Sequence, residues 1–278
     1  MSEEKLKTVL ENLHQLPALP SVVLEVINSF VDTEISTALL ANKISQDQAL
    51  SAKLLQISNS SFYGLSRQVG SINEAVMILG FDSVRSLAVA VGLIHALSPV
   101  TGQLLNRKQF WQYNIQVATC AQFLAKTLGF NADIAFTAGL LHDIGQMAFA
   151  LTYPQSYGII LEGESFTANE LVERERQEFG FDHAMLGAEV ARHWNFPLLI
   201  QNAIKYHHCA DSPDQDRLAE IVYTANFLHE RYREGKSEED ILSELPENIL
   251  NRMNSNNELL ASAWSVFTRS DIGVHIFE

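Results

Sequence analysis

The sequence predicts an all-α protein of two packed helical lobes, and three observations carry that expectation. Apolar residues recur at i, i+3/i+4 and i+7 along nearly the whole chain. Sustained apolar–polar alternation, the pattern of half-buried strands, is missing from the sequence. Helix breakers are scarce, with 14 glycines and 7 prolines in 278 residues. The lobes are expected over residues 10–100 and 105–278.

The first lobe opens on Leu16-Pro17-Ala18-Leu19-Pro20, after which Val22, Val23, Val26, Ile27 and Phe30 form one helical stripe. Ser45-Gln46-Asp47-Gln48 offers a capping box ahead of Leu50, Leu54, Leu55 and Ile57. Asn59-Ser60-Ser61 and Gly64 punctuate the chain before Ile72, Val76 and Leu79. Gly80 breaks that helix, and Val84 to Leu97 reads as a mostly buried one. Ser98-Pro99-Val100-Thr101-Gly102 is the expected boundary between lobes. In the second lobe Phe110, Val117, Ala121, Leu124 and Leu128 form a stripe that includes Tyr113 and Asn114. An Asn131/Asp133 cap precedes a helix that is apolar almost all round and runs from Ile134 to Gly145. Asp182 caps the next, whose inner positions are His183, Leu186, Gly187, Val190 and Trp194. After Asn195-Phe196-Pro197, Ile200, Ala203 and Ile204 lead to His207 and His208. Leu218, Ile221, Val222 and Ala225 then share a face with Asn226 and His229. A polar, acidic segment, Glu234–Glu258, separates these from a last helix bearing Leu259, Leu260, Trp264 and Phe267.

Composition excludes several function classes. With 47% hydrophobic residues the chain is not a disordered or low-complexity protein. A formal charge of −14, from 33 acidic against 19 basic residues, repels nucleic-acid backbones and anionic membrane surfaces. Neither is an expected partner. The apolar run Ser86–Leu97 falls short of the roughly 18–20 residues that cross a bilayer. The charged start Met1–Lys7 has no secretory core, and two distant cysteines, Cys120 and Cys209, suggest a reducing compartment. A cytoplasmic protein is expected.

The informative residues are polar ones on inner faces. The buried helix after Asn131 ends in His142-Asp143, and a buried carboxylate needs a metal, a cation or several donors. His183 starts one apolar stripe, and His207 ends another with His208 beside it. A lone inward histidine is more often a core residue satisfied by one partner. Five such residues on three helices make a metal site in a helical bundle the sharper expectation. Their nitrogen and oxygen donors suit Fe, Mn, Zn or Ni rather than calcium. His14, His95, His193, His229 and His275 lack a partner pattern and read as structural or solvated.

Gly139-Leu140-Leu141-His142-Asp143-Ile144-Gly145 resembles the defining motif of the HD superfamily of metal-dependent phosphohydrolases. The run from His183 and Gly187 through Trp194, Pro197, Ala203-Ile204 and His207-His208 is similar to the downstream half of its HD-GYP and HDOD branches. Leu16–Pro20, Leu54-x-x-Ile57-Ser58-Asn59-Ser60, Phe62-Tyr63-Gly64 and Ile72-x-x-Ala75-Val76-x-x-Leu79-Gly80 look like the HDOD domain. The resemblance spans roughly residues 10–230 and implies a bacterial, all-helical signalling protein whose second lobe is an HD-type bundle.

The departures shape the functional expectation. Tyr113 stands where catalytic HD enzymes place a first histidine, and Asn226 where they place a closing aspartate. After His207-His208 the chain reads Cys209-Ala210-Asp211-Ser212-Pro213, without the Gly-Tyr-Pro signature of cyclic-di-GMP phosphodiesterases. Tyrosine replaces imidazole poorly as a ligand, and asparagine is a weak, uncharged substitute for a carboxylate. The resemblance therefore implies a regulatory module without catalysis that binds a protein partner in a signalling pathway. It leaves at most one divalent transition metal, weakly held or absent, on His142, Asp143, His183, His207 and His208. The alternative is a metal-dependent phosphohydrolase acting on a nucleotide or other phosphoester. If the five residues converge, Tyr113 and Asn226 are expected to line the same cavity, with the Tyr113 hydroxyl donating to Asp143.

Overall fold

The computed structural model describes residues 5, 7–9, 11, 16–30, 36–59, 65, 67–101, 104–162, 167–209, 216–237, 239, 240, 244–253 and 257–268. His14, His275, Ser60-Ser61, Phe62-Tyr63-Gly64 and Ala210–Pro213 lie outside them. Among the described residues the chain is helical throughout, with no strand.

The first lobe consists of α1 (Ser21–Asn28), α2 (Thr37–Gln46), α3 (Gln48–Ser58) and α4 (Ile72–Leu79) gathered on α5 (Phe81–Thr101). Val23, Val26 and Ile27 of α1 are fully buried, as their spacing requires. The capping expectation at 45–48 needs correction. Ser45 lies in the last turn of α2, where its hydroxyl bonds back to the Ala41 carbonyl, 2.7 Å away. Asp47 alone caps α3, accepting from the Leu50 amide at 3.0 Å. The expected break at 98–102 is instead helical through Thr101.

The second lobe packs α6 (Arg107–Thr127), α7 (Ala132–Leu141), α8 (Ile144–Thr152), α11 (His183–His193), α12 (Leu198–Tyr206) and α13 (Arg217–Arg233) around a shared interior. Flanking them are α9 (Pro154–Leu161) and α10 (Ala168–Phe179), while α14 (Glu247–Met253) and α15 (Asn257–Thr268) lie against α13. The segment expected to be merely polar and acidic thus carries α14, which buries Ile249. Helix α5 also packs on α6, α7 and α8, so one continuous hydrophobic core runs through both lobes.

The expected single helix to Gly145 is two. Asn131 caps α7 as its sequence suggests, accepting from the Asp133 and Ile134 amides. The helix then ends with His142 at its C-cap, and Asp143 begins α8. Together Ala132–Thr152 form an apolar stretch longer than Ser86–Leu97, long enough by composition to cross a membrane, and most of it is buried in the fold.

Candidate metal centre

His142, Asp143, His183, His207 and His208 all sit at helix ends, where the chain turns and side chains from different helices meet. His142 and Asp143 occupy the junction of α7 and α8, His183 the first turn of α11, and His207-His208 the end of α12. Gly145 and Gly187 bring α8 and α11 together. A Cβ on Gly145 would lie 2.0 Å from the His183 carbonyl oxygen, so only glycine fits this crossing.

Four of the five expected ligands form one cluster. Donor atoms of Asp143, His183, His207 and His208 lie within 4.8 Å of one another. His183 Nε2 is 3.3 Å from His207 Nε2 and 3.0 Å from His208 Nε2. Asp143 Oδ1 is 3.2 Å from His183 Nε2 and 3.5 Å from His207 Nε2. A tetrahedral ion with bonds of about 2.0–2.1 Å spaces its ligand atoms about 3.3–3.4 Å apart. The separations about His183 and Asp143 fit that spacing to within a few tenths of an ångström.

His142 is separate from this group. It faces the other carboxylate oxygen, with Nε2 3.5 Å from Asp143 Oδ2. That nitrogen is buried and has no hydrogen-bond partner. Asp143 therefore presents its two oxygens to two different sets of imidazoles.

The orientation of three of the four rings is fixed through the other nitrogen. His142 Nδ1 and His207 Nδ1 each donate to the carbonyl three residues back, Gly139 and Ile204, at 2.7 Å. His183 Nδ1 lies 2.7 Å from the carboxylate of Glu175. His208 Nδ1 is 3.9 Å from Glu230, beyond a direct bond. With Nδ1 satisfied, Nε2 is free to bind.

Burial and neighbours set the charges. Burial holds the His142 imidazole down to about 4, although Asp143 works the other way. Burial and the facing His207 and His183 rings push His208 well below the usual imidazole range. Burial opposes ionisation of Asp143, but the surrounding His142, His183 and His207 outweigh it and hold its carboxyl well below the usual range. Burial opposes the charge on His183 as well, but the Glu175 and Asp143 carboxylates outweigh it and hold this imidazole well above the usual range. A neutral imidazole and an ionised carboxylate are the forms that ligate metals, so His183 sheds a proton when it binds one.

Tyr113 and Asn226 meet each other rather than Asp143. The Tyr113 hydroxyl donates to Asn226 Oδ1 at 2.6 Å, and Asn226 Nδ2 donates to Glu230 Oε1 at 2.7 Å. The expected bond to Asp143 is thus replaced, since the amide oxygen lies within easier reach. Tyr113 lines a cleft of about 680 Å³ that also reaches Asp143, His183 and His208, while Asn226 is buried and does not line it.

Sequence reasoning missed three residues. His229, read as structural or solvated, is buried and lines the cleft, its ring 4.5 Å edge-on from Tyr113. Glu230 follows Asn226 by one turn, and burial beside the Asp143 charge raises its carboxyl to about 7. Glu175 is fully buried, and its place on the Leu171–Glu175–Phe179 stripe was the signal that could have revealed it. His95 and His193 are exposed, as expected.

The profile of the HDOD domain family matches residues 16–210. An uncharacterized protein of Treponema pallidum is 28% identical over 92% of this chain, which spans 50% of that protein. Ribonuclease Y of Mesoplasma florum is 28% identical over 56% of the chain and 26% of its own length. The chain thus spans half or less of these curated relatives. Among solved structures, a Shewanella amazonensis protein provisionally called a phosphohydrolase superposes with a TM-score of 0.77 at 25% identity, covering 97% of this chain and 96% of its own. An HDOD domain protein of Geobacter sulfurreducens superposes with a TM-score of 0.79 at 24% identity, over 99% and 98% of the two chains.

Proposed function

Because this chain belongs to the HDOD domain family, we propose that it is a signalling or regulatory module that binds a protein partner and does not hydrolyse phosphoesters. The observation that carries this reading is the Tyr113–Asn226 hydrogen bond, 2.6 Å long, on the His142 side of the pocket. A hydrolytic centre of the HD type places a histidine and an aspartate there, and this chain offers a phenol and an amide bonded to each other. On the opposite side Asp143, His183, His207 and His208 suit one divalent transition ion. When bound, such an ion supplies Lewis acidity and fixed positive charge. Four protein ligands complete a tetrahedron, the closed arrangement of structural rather than catalytic sites. The residues themselves hold three helix ends in register, with Nε2 atoms turned inward and water kept from all but the cleft side.

The acidic composition supports a protein partner over nucleic acid or membrane, and the free thiols of Cys120 and Cys209 support a cytoplasmic location. One observation favours the alternative of phosphoester hydrolysis: the 680 Å³ cleft reaches Asp143, His183 and His208 and has room for a substrate.

Elemental analysis combined with a screen of generic and nucleotide phosphoesters tests the choice. We expect at most one equivalent of metal per chain and no turnover. Hydrolysis that disappears in Asp143→Ala overturns the regulatory reading. Tyr113→His combined with Asn226→Asp should raise metal affinity markedly if the His142 side retains its geometry.

A further inference from the structure

We propose that Glu175 is a positioning residue for the metal centre: its carboxylate accepts the Nδ1–H hydrogen bond of His183 and so turns Nε2 of that ring towards Asp143, His207 and His208. The proposal extends the reading of the cluster as a metal site, and part of its test is independent of metal.

Glu175 projects from the inner stripe of α10 and is fully buried. Three donors converge on its two oxygens. The His183 backbone amide and ring Nδ1 reach Oε2 at 2.8 and 2.7 Å, and the Tyr157 hydroxyl reaches Oε1 at 3.0 Å. Three donors and no competing acceptor suit an ionised carboxylate. Tyr157, also fully buried, holds the far oxygen and so fixes the plane of the carboxylate.

His183 is also the hub of the cluster. Its Nε2 makes the 3.0, 3.2 and 3.3 Å approaches to His208, Asp143 and His207. A flip about Cβ–Cγ would put Cδ2 against Glu175 and Cε1 towards the centre, so both nitrogens would lose their partners. The Glu175 carboxylate opposes this from the Nδ1 side, itself anchored by the His183 backbone amide on Oε2. Carboxylate–histidine–metal arrangements of this kind orient the ring and raise its basicity.

Every ion-pair partner of Asp143 and Glu175 among the described residues is an imidazole, so no lysine or arginine there competes with His183 for either carboxylate.

A simpler role for Glu175 would be to satisfy the orphan amide of His183 at the start of α11. The two roles separate in this chain, stripped of metal by chelation and labelled with ¹⁵N-histidine. We expect the wild type to show a slowly exchanging, downfield His183 Nδ1 proton and Glu175→Gln to lose it. Zn²⁺ affinity, measured by chelator competition, should fall about 10–100-fold in the same variant. A Glu175→Gln chain with an intact Nδ1 signal and unchanged affinity overturns the proposal, whatever its melting temperature. Loss of the signal in a protein whose wild type binds no Zn²⁺ would support the positioning role and sink the metal reading. If Glu175→Gln does not fold, Tyr157→Phe takes its place. That variant should show an upfield-shifted Nδ1 proton and a smaller, few-fold loss of affinity; no change in either overturns the proposal.

Discussion

A histidine presents a chosen nitrogen only when its other nitrogen has a partner, and this molecule solves that problem three times with two devices: a carbonyl one turn back for His142 and His207, a carboxylate for His183. His229 is the counter-example. Its Nε2 meets Gln116 Oε1 at 2.7 Å, while Nδ1 is buried with no hydrogen-bond partner. Burial, helped by the nearby Arg233 charge, lowers this imidazole to about 3. The unfolded chain takes up a proton near pH 6.5, whereas folded His229 stays neutral until about pH 3. Stability is therefore lost as pH falls through that window, by roughly 1.4 kcal/mol per pH unit for one proton once below 6.5. Urea unfolding at pH 7, 6 and 5 should show this acid limb, and His229→Leu should flatten it by about one proton. Equal slopes in both proteins would remove His229 from the account.

At the level of elements, the Gly139-x-x-His142-Asp143-x-Gly145 run works as two close crossings around a corner. A Cβ on Gly139 would stand 2.7 Å from the Ala118 Cα of α6, and one on Gly145 would strike α11. We expect Gly145→Ala to destabilise the fold by about 1–3 kcal/mol, the usual cost of overpacking. It should also weaken Zn²⁺ binding, because the clash is with the backbone of His183 itself. Melting and metal titration check this together; a stable variant with wild-type affinity would show the crossing to be looser than described. Much of this was legible in the sequence, since caps are local. Asn131, Asp182 and Asp47 each act on amides two or three residues away. What was not legible depends on contacts distant in sequence. Tyr113 and Asn226 are 113 positions apart, and nothing local says that they choose each other over Asp143. Ser45 misled because a hydroxyl can cap the next helix or bond back within its own, and the turn at Asp47 decides. Glu175 was overlooked because it lies on a helix whose surface is otherwise charged, although its spacing from Leu171 and Phe179 matched the inner face.

For the molecule as a whole, α5 decides whether the lobes can act apart. Ser86 on α5 donates to Asp133 at the start of α7 at 2.7 Å, and Arg85 lies 3.5 Å from the same carboxylate while covering the Phe30 ring. Both charged side chains are 11% exposed, so Asp133→Ala should strip the seam of its main polar contact and destabilise the fold by about 1.5–3 kcal/mol. With one core shared by both lobes, calorimetry should still record a single transition for wild type and variant. Two resolved transitions, or early proteolysis at residues 98–102 that releases folded halves, would mean that the lobes are separate units. The same seam reaches further than stability. Asp133 and the His142–Asp143 pair stand at opposite ends of α7, a helix of ten residues and about 15 Å. The joint between the lobes and the innermost imidazoles are thus two ends of one short rod. Whatever tilts that rod at its outer end must move the inner end as well, which gives a deeply buried site a handle on the far side of the protein.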